Sequence, residues 1–375
     1  MKIGIIDADL IERKKHRFPN LACMKLSAHH KEKGDQVSLM LSWADIHRYD
    51  KVYISKVFTD TFCPEHILER DNVEYGGTGF FYDKAPPLPA EVEHTMPDYD
   101  LYREWATEKI ALGEKKDKYR YYLNTSIGFT TRGCFRKCEF CVNQNSGGVV
   151  RHSPVEEFFD PKNSSICMLD DNVLGSKYVY DIWESLARTG RTFEYKQGMD
   201  FRLLNEKKIR MMINSKINKR AYIFAFDDIK DKEIMIKKFE LFRSITDCFA
   251  RFYVLCGFDK NSKYDDEFWE RDLYETFERI KIIMEYGSVP YIMKYEKWVN
   301  SPWKGTYSNI SNWCNILFRY KKMSFEESCK AQTRWNGGKE DSTMRHYKKA
   351  LSELPDLAKE YFGLRYEEIT KFKTR

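Results

Sequence analysis

Residues 127–143 read Ile-Gly-Phe-Thr-Thr-Arg-Gly-Cys-Phe-Arg-Lys-Cys-Glu-Phe-Cys-Val-Asn, and Cys134, Cys138 and Cys141 stand in it as C-x3-C-x2-C. Three cysteines this close cannot all be paired in disulfides, and their spacing on one short loop favours thiolates converging on a metal or an iron-sulfur cluster. The number three carries information. A four-iron, four-sulfur cluster has four corners, so three thiolates leave one iron open to a small chelating ligand. A structural zinc site normally takes four protein ligands, and the nearest further Cys or His in sequence is His152. The competing readings are three structural cysteines or an incomplete zinc knuckle.

The array, with aromatic Phe140 just before its third cysteine, resembles the signature of the radical S-adenosylmethionine superfamily. The resemblance implies a [4Fe-4S] cluster held by Cys134, Cys138 and Cys141, with the open iron chelated by the amino and carboxylate groups of S-adenosyl-L-methionine. It also implies an external electron donor of the flavodoxin or ferredoxin type. An electron from the reduced cluster would then cleave the sulfonium to a 5′-deoxyadenosyl radical, and Phe140 would pack the adenine. The chain is therefore expected to be an enzyme.

Charged residues make up 32% and hydrophobic residues 42% of the 375 residues, the balance of a globular rather than a disordered or membrane chain. The start, Met-Lys-Ile-Gly-Ile-Ile-Asp, reads into a strand and lacks the features of a signal peptide. No run approaches the ~20 apolar residues of a membrane span. Ten cysteines without a secretory signal fit reduced thiols and metal ligation, and a cytoplasmic location is expected. Formal net charge is +6, and residues 319–375 hold fourteen Lys and Arg against nine Asp and Glu. A modest excess of this kind reads as a solvated helix face, with nucleic-acid contact as the alternative.

Residues 1–83 alternate strand and helix patterns. Apolar runs at 2–7, 36–41, 50–57 and 72–79 flank a helical pattern through Leu21, Met24, Leu26 and His29 that Gly34 stops. This alternation predicts a small doubly wound, Rossmann-like parallel sheet with a ligand crevice at its strand ends. The segment resembles the cobalamin-binding domain that precedes the barrel in one branch of the superfamily, through Pro19-Asn20-Leu21, Gly34-Asp35 and Gly76-Gly77. The D-x-H-x-x-G axial-ligand motif is missing, its nearest imitation being Asp45-Ile-His47 followed by Asp50. Cobalamin is therefore not the favoured expectation. Prolines between residues 84 and 98 argue for an interdomain linker, taken as 84–119.

Strand-like runs recur near 124–130, 165–169, 193–198, 221–226, 251–256 and 289–294, with helical stretches near 177–189, 205–214, 231–246 and 265–286. They predict a partial (β/α)6 barrel over 120–300, the fold the resemblance also implies, with chemistry at the carboxyl ends of the strands. Two of those ends carry candidate contacts to S-adenosylmethionine. Asp170 and Asp171 suit its ammonium, Arg202 its carboxylate and Asp200 its ribose. The pair Asp227 and Asp228 reads as a helix cap, and Cys167, Cys248, Cys256, Cys314 and Cys329 read as buried thiols. Residues 301–375 form an aromatic and helical extension. Trp298, Trp303, Tyr307, Trp313 and Phe318 read as core, with a substrate lid hinged at 335–338 as the alternative.

The leading expectation is a radical S-adenosylmethionine enzyme acting on a small molecule, peptide or RNA. A cobalamin-dependent methyltransferase of the same superfamily and a zinc-containing nucleic-acid-binding protein are the alternatives.

Overall fold

The computed structural model describes residues 1–144, 146–218, 222–335 and 342–372. The chain divides into two compact units, Met1–Glu194 and Tyr195–Arg375. It is a mixed α/β protein with parallel sheets, and no helix among the described residues is long and apolar enough to cross a membrane.

The first unit opens with strands β1 (Lys2–Asp7), β2 (Gln36–Leu39), β3 (Lys51–Ser55) and β4 (Val73–Gly76), all parallel in the order β2-β1-β3-β4. β1 is buried on both faces, which is why it reads as an unbroken apolar run rather than an alternating one. Ile3 and Ile5 pack on Cys23, Met24 and Leu26 of the Leu21–Glu32 helix, whereas Ile6 joins Val52, Ile54 and Ile67 in a second cluster. Side chains alternate across a strand, so the two clusters lie on opposite faces of the sheet, as double winding requires. Asn20 caps the helix by accepting from Ala22 and Cys23 N. Just past its end, Gly34 takes a φ of +83° that other residues resist.

The proline-containing stretch does more than connect. Ala90–Glu93 is a short helix, Val92 is buried, and Lys25 of the Leu21–Glu32 helix pairs with Glu93 at 2.8 Å. Tyr99, Leu101, Tyr102 and Trp105 complete the cluster around Ile3 and Ile5. Proline forbids strand pairing here but leaves side chains able to pack, so composition announced an irregular backbone and concealed a core contribution.

The unit continues through β5 (Thr125–Gly128), β6 (Thr131–Arg132), β7 (Val150–Arg151), β8 (Ser165–Met168) and β9 (Thr192–Tyr195), which ends at the division. β5, β8 and β9 form a three-stranded sheet, while β6 and β7 form a two-residue antiparallel ladder.

In the second unit β10 (Ile223–Ala225), β11 (Arg251–Cys256) and β12 (Val289–Lys294) are parallel neighbours. Phe201, Phe224, Phe239 and Phe252 interlock over this sheet with ring centroids 4.8–5.4 Å apart. The Asp266–Glu285 helix is capped by Asp265 through Phe268 N. Trp303, Tyr307 and Trp313 are buried as core, whereas Phe318 is 66% exposed. The six strands expected of the barrel pair among the described residues as two groups of three. The proposed 335–338 hinge falls largely outside the described residues.

Candidate metal centre and its supports

The cysteine loop leaves the sheet through a closed neck. β6 and β7 pair Thr131 with Arg151 and Arg132 with Val150, so residues 133–149 project as one excursion. Gly133 has φ +84°, and a Cβ there would lie 2.3 Å from the Gly148 carbonyl oxygen. Only glycine allows that approach of two backbones. Inside the neck, the Ser146 hydroxyl accepts from Cys134 N at 2.9 Å and lies 2.7 Å from Asn143 O. A turn is closed by Cys141 N donating to Cys138 O at 2.9 Å.

Cys134, Cys138 and Cys141 are all of intermediate exposure. Cys134 Sγ accepts from Arg136 N at 3.3 Å and from Asn172 Nδ2 at 3.3 Å, and Cys141 Sγ accepts from Asn143 N at 3.4 Å. Elsewhere, Cys23, Cys256 and Cys314 are buried, and burial pushes their thiols up, away from the thiolate that binds metal. Cys167 and Cys329 are buried as expected, while Cys248 is of intermediate exposure.

The carboxyl end of β8 holds the loop in place. Asp170, 2% exposed, accepts four hydrogen bonds: from Thr130 N at 3.1 Å, Thr130 Oγ1 at 2.6 Å, Thr131 N at 2.6 Å and Thr131 Oγ1 at 2.7 Å. Burial raises its pKa against the opposing effect of these bonds. Expected to receive the ammonium of S-adenosylmethionine, Asp170 is instead engaged by the strand that feeds the loop. Asp171 accepts from Gly133 N at 2.7 Å and Asn143 Nδ2 at 2.7 Å, which ties the two sides of the loop together. Asn172 is buried, and among the described residues its Oδ1 has no hydrogen-bond partner, although its amide nitrogen reaches Cys134 Sγ.

Glu93 fastens the neck from the other side. It pairs with Lys25 at 2.8 Å, Arg132 at 3.3 Å and His152 at 3.3 Å. Burial alone would raise its pKa. The His152 and Lys25 hydrogen bonds and the Lys25 and Arg132 charges outweigh burial and hold it at about 2. The Phe140 carbonyl accepts from Tyr82 Oη at 3.4 Å, and its side chain is partly buried.

In the second unit, Arg202 and Asp200 satisfy each other. Arg202 Nε meets Asp200 Oδ1 at 2.7 Å, a second nitrogen meets Asp200 Oδ2 at 3.2 Å, and a third meets Asp231 Oδ2 at 2.5 Å. The fork expected to grip a substrate carboxylate grips a protein carboxylate. Asp228 caps the short turn after it through Lys230 N. Asp227 does not cap that turn. Its carboxylate accepts from Leu255 N at 3.0 Å, and the protein packed around that group raises its pKa to about 6 although the residue keeps intermediate exposure.

Among the described residues, no three His, Cys, Asp or Glu side chains gather as a compact chelate for a single ion. The cysteine loop nevertheless fits a cluster in its donor set. It offers three partly exposed thiols on one excursion, N–H groups aimed at two of the sulfurs, and beside Cys134 a buried acceptor without a donor among the described residues. Hydrogen bonds to ligating sulfurs are one of the means by which proteins set the potential of an iron-sulfur cluster. Asn172 and Gly133 were not singled out from sequence. The glycine immediately before Cys134 was the one available signal.

No protein-family model and no curated protein matches the chain. Among solved structures, it is similar to the cobalamin-dependent S-adenosylmethionine radical enzyme OxsB, at 12% identity to the form with aqua-cobalamin and S-adenosylmethionine bound and to the form with aqua-cobalamin bound. Identity to the apo, SeMet-labeled form is 11%. Each alignment covers 99% of this chain and 58% of OxsB at a TM-score of 0.35, a likeness too loose to assign a fold or an activity. The chain thus spans a little over half the length of that neighbour.

Proposed function

We propose that this chain is a radical S-adenosylmethionine enzyme in which Cys134, Cys138 and Cys141 hold a [4Fe-4S] cluster. The observation that carries the proposal is the cysteine excursion itself: three partly exposed thiols in C-x3-C-x2-C, closed by Gly133 against Gly148 and fastened to the end of β8. When bound, the cluster supplies the electron that cleaves the sulfonium of S-adenosylmethionine.

The residues around the loop have separable tasks. Asp170 fixes the strand entering the loop, Asp171 spans the loop, and Asn172 donates to the Cys134 sulfur. The unsatisfied Asn172 Oδ1 suits a donor such as the ammonium of S-adenosylmethionine, a contact previously assigned to Asp170 or Asp171. Phe140 is retained as the adenine contact. Asp200 and Arg202 bind the remainder of the cosubstrate only after releasing part of their mutual ion pair. On this reading residues 120–300 are the partial-barrel region, preceded in the chain by residues 1–83 and the 84–119 linker and followed by residues 301–375, and a flavodoxin- or ferredoxin-type donor delivers the electron. The reaction acts on a small molecule, peptide or RNA.

Incubating the anaerobically reduced protein with S-adenosylmethionine tests the proposal. The expected products are 5′-deoxyadenosine and methionine. Their absence from a preparation with a full complement of reduced cluster would overturn it.

A further inference from the structure

The sheet order β2-β1-β3-β4 means that the chain leaves β1 toward β2 on one side and resumes at β3 on the other. Open parallel sheets bind ligands at such a reversal, outside the carboxyl ends of the strands. A cleft of about 450 Å³ is lined by Arg13, Lys14, Lys15 and His16, which follow β1, and by Phe58, which follows β3. It is open to solvent along most of its length, as a surface groove rather than an enclosed cavity.

The cleft wall is constructed rather than loose. Residues 13–17 read Arg-Lys-Lys-His-Arg, and mutual repulsion among the four cations Arg13, Lys14, Lys15 and Arg17 would spread a solvated segment. Arg17 draws them together by donating to Lys14 O at 2.9 Å and His16 O at 2.6 Å, and is itself held by Glu114 at 3.4 Å. Asp9 fixes the facing segment by accepting from Val57 N at 2.6 Å and Thr61 Oγ1 at 2.5 Å. Phe58 stands between them, with the Arg13 guanidinium 4.2 Å from its ring and His16 edge-on at 5.7 Å. Asp60 pairs with Arg13 at 2.7 Å. Lys14 and Lys15 are exposed and have no acidic partner among the described residues. Phe58 and Phe62 remain 39% and 62% exposed. One face of Phe58 is covered by Arg13, and its exposed remainder is left for a base; cations interleaved with partly exposed aromatic rings recognise phosphate and base together.

We propose that this cleft binds a phosphorylated nucleoside, with Lys14 and Lys15 on the phosphate and Phe58 on the base, supplied either as a free nucleotide or as a unit of single-stranded RNA. The site is independent of the cysteine loop and places the basic contact at residues 13–17 rather than in the 319–375 tail.

Fluorescence anisotropy of the full chain with a short fluorescein-labelled single-stranded RNA, with AMP, ATP, inorganic phosphate and hydroxocobalamin as competitors, tests it. Lys14→Glu/Lys15→Glu is expected to weaken RNA or AMP binding at least about tenfold through loss of charge-assisted contacts. Phe58→Ala is expected to weaken it about fivefold or more through lost stacking. For RNA, raising salt from about 50 to about 200 mM costs roughly a further sevenfold if two phosphates are neutralised. The double variant should keep its iron content and unfolding midpoint. RNA binding at least tenfold tighter than AMP supports the RNA source, and comparable binding supports the free nucleotide. Absence of binding at low salt, equal binding by both variants, competition by inorganic phosphate as strong as by AMP, or capture of hydroxocobalamin alone would overturn the proposal.

Discussion

The carboxyl ends of β1 and β8 carry the same device with different cargo. At β8, Asp170 accepts from Thr130 and Thr131 and thereby holds the segment that enters the cysteine loop. Just beyond β1, Asp9 accepts from Val57 and Thr61 and thereby holds the segment bearing Phe58. In both places a buried acid fixes a loop grown from another strand. The chemistry resides in what the loop presents, thiols in one case and cations with aromatic rings in the other. An acid after a parallel strand is therefore weak evidence of a ligand contact until its own donors have been accounted for.

The largest expected effect separates Asp7 from both braces. It is buried at the end of β1, where desolvation raises its pKa to about 7 despite hydrogen bonds from Tyr102 Oη at 2.9 Å and Leu10 N at 3.2 Å. A carboxyl whose folded pKa lies above its unfolded value binds more protons in the native state. Its contribution to stability is therefore present below pH ~4 and is lost as pH rises through about 7, to a total of about 4 kcal/mol at 1.36 kcal/mol per unit. Asp7→Asn should flatten this part of the stability profile in chemical unfolding from pH 4 to 8. A variant profile as steep as that of the wild type would contradict the assignment.

Removing a brace should cost somewhat less. Asp170→Ala leaves two buried peptide N–H groups without an acceptor, an expected loss of about 3 kcal/mol in urea unfolding, together with reduced cluster content. Asp9→Ala strands Val57 N and the Thr61 hydroxyl and should cost about 2 kcal/mol while leaving iron unchanged. Equal iron loss in both variants would erase the distinction between the two loops.

The smallest effect tests the neck. Gly133→Ala forces a side chain onto a positive φ and against the Gly148 carbonyl, with an expected cost of about 1 to 3 kcal/mol. Because the strain falls within the loop, anaerobic reconstitution should be slower than in the wild type. Gly190→Ala, also at positive φ but with no atom within 4 Å of the added methyl, provides the control.

Much of this architecture was legible in sequence. The β-branched run at 2–7, the stop at Gly34 and the 265–286 periodicity announced elements that lie within two residues of their expected ends. Such signals are local. The braces are not, since Asp170 meets Thr130 across 40 positions and Asp9 meets Thr61 across 52. No window along the chain reveals that an acid is already engaged. The pairing of Arg202 with Asp200 was missed for a different reason: each was read as a separate contact, although two residues apart they are close enough to pair with each other. The 13–17 basic run was visible but was averaged into a whole-chain charge whose excess was assigned to the tail. The Pro-containing stretch at 84–98 was read from backbone chemistry alone, which does not register the burial of Val92.

The central claim is that Cys134, Cys138 and Cys141 form a cluster site. Iron, acid-labile sulfide and zinc measured on anaerobically reconstituted protein, alongside its visible spectrum and that of the triple Cys→Ala variant, test it most directly. The account predicts a brown protein with about four irons and four sulfides per chain, and a colourless variant. A colourless wild-type protein carrying one tightly held zinc and no sulfide would contradict it.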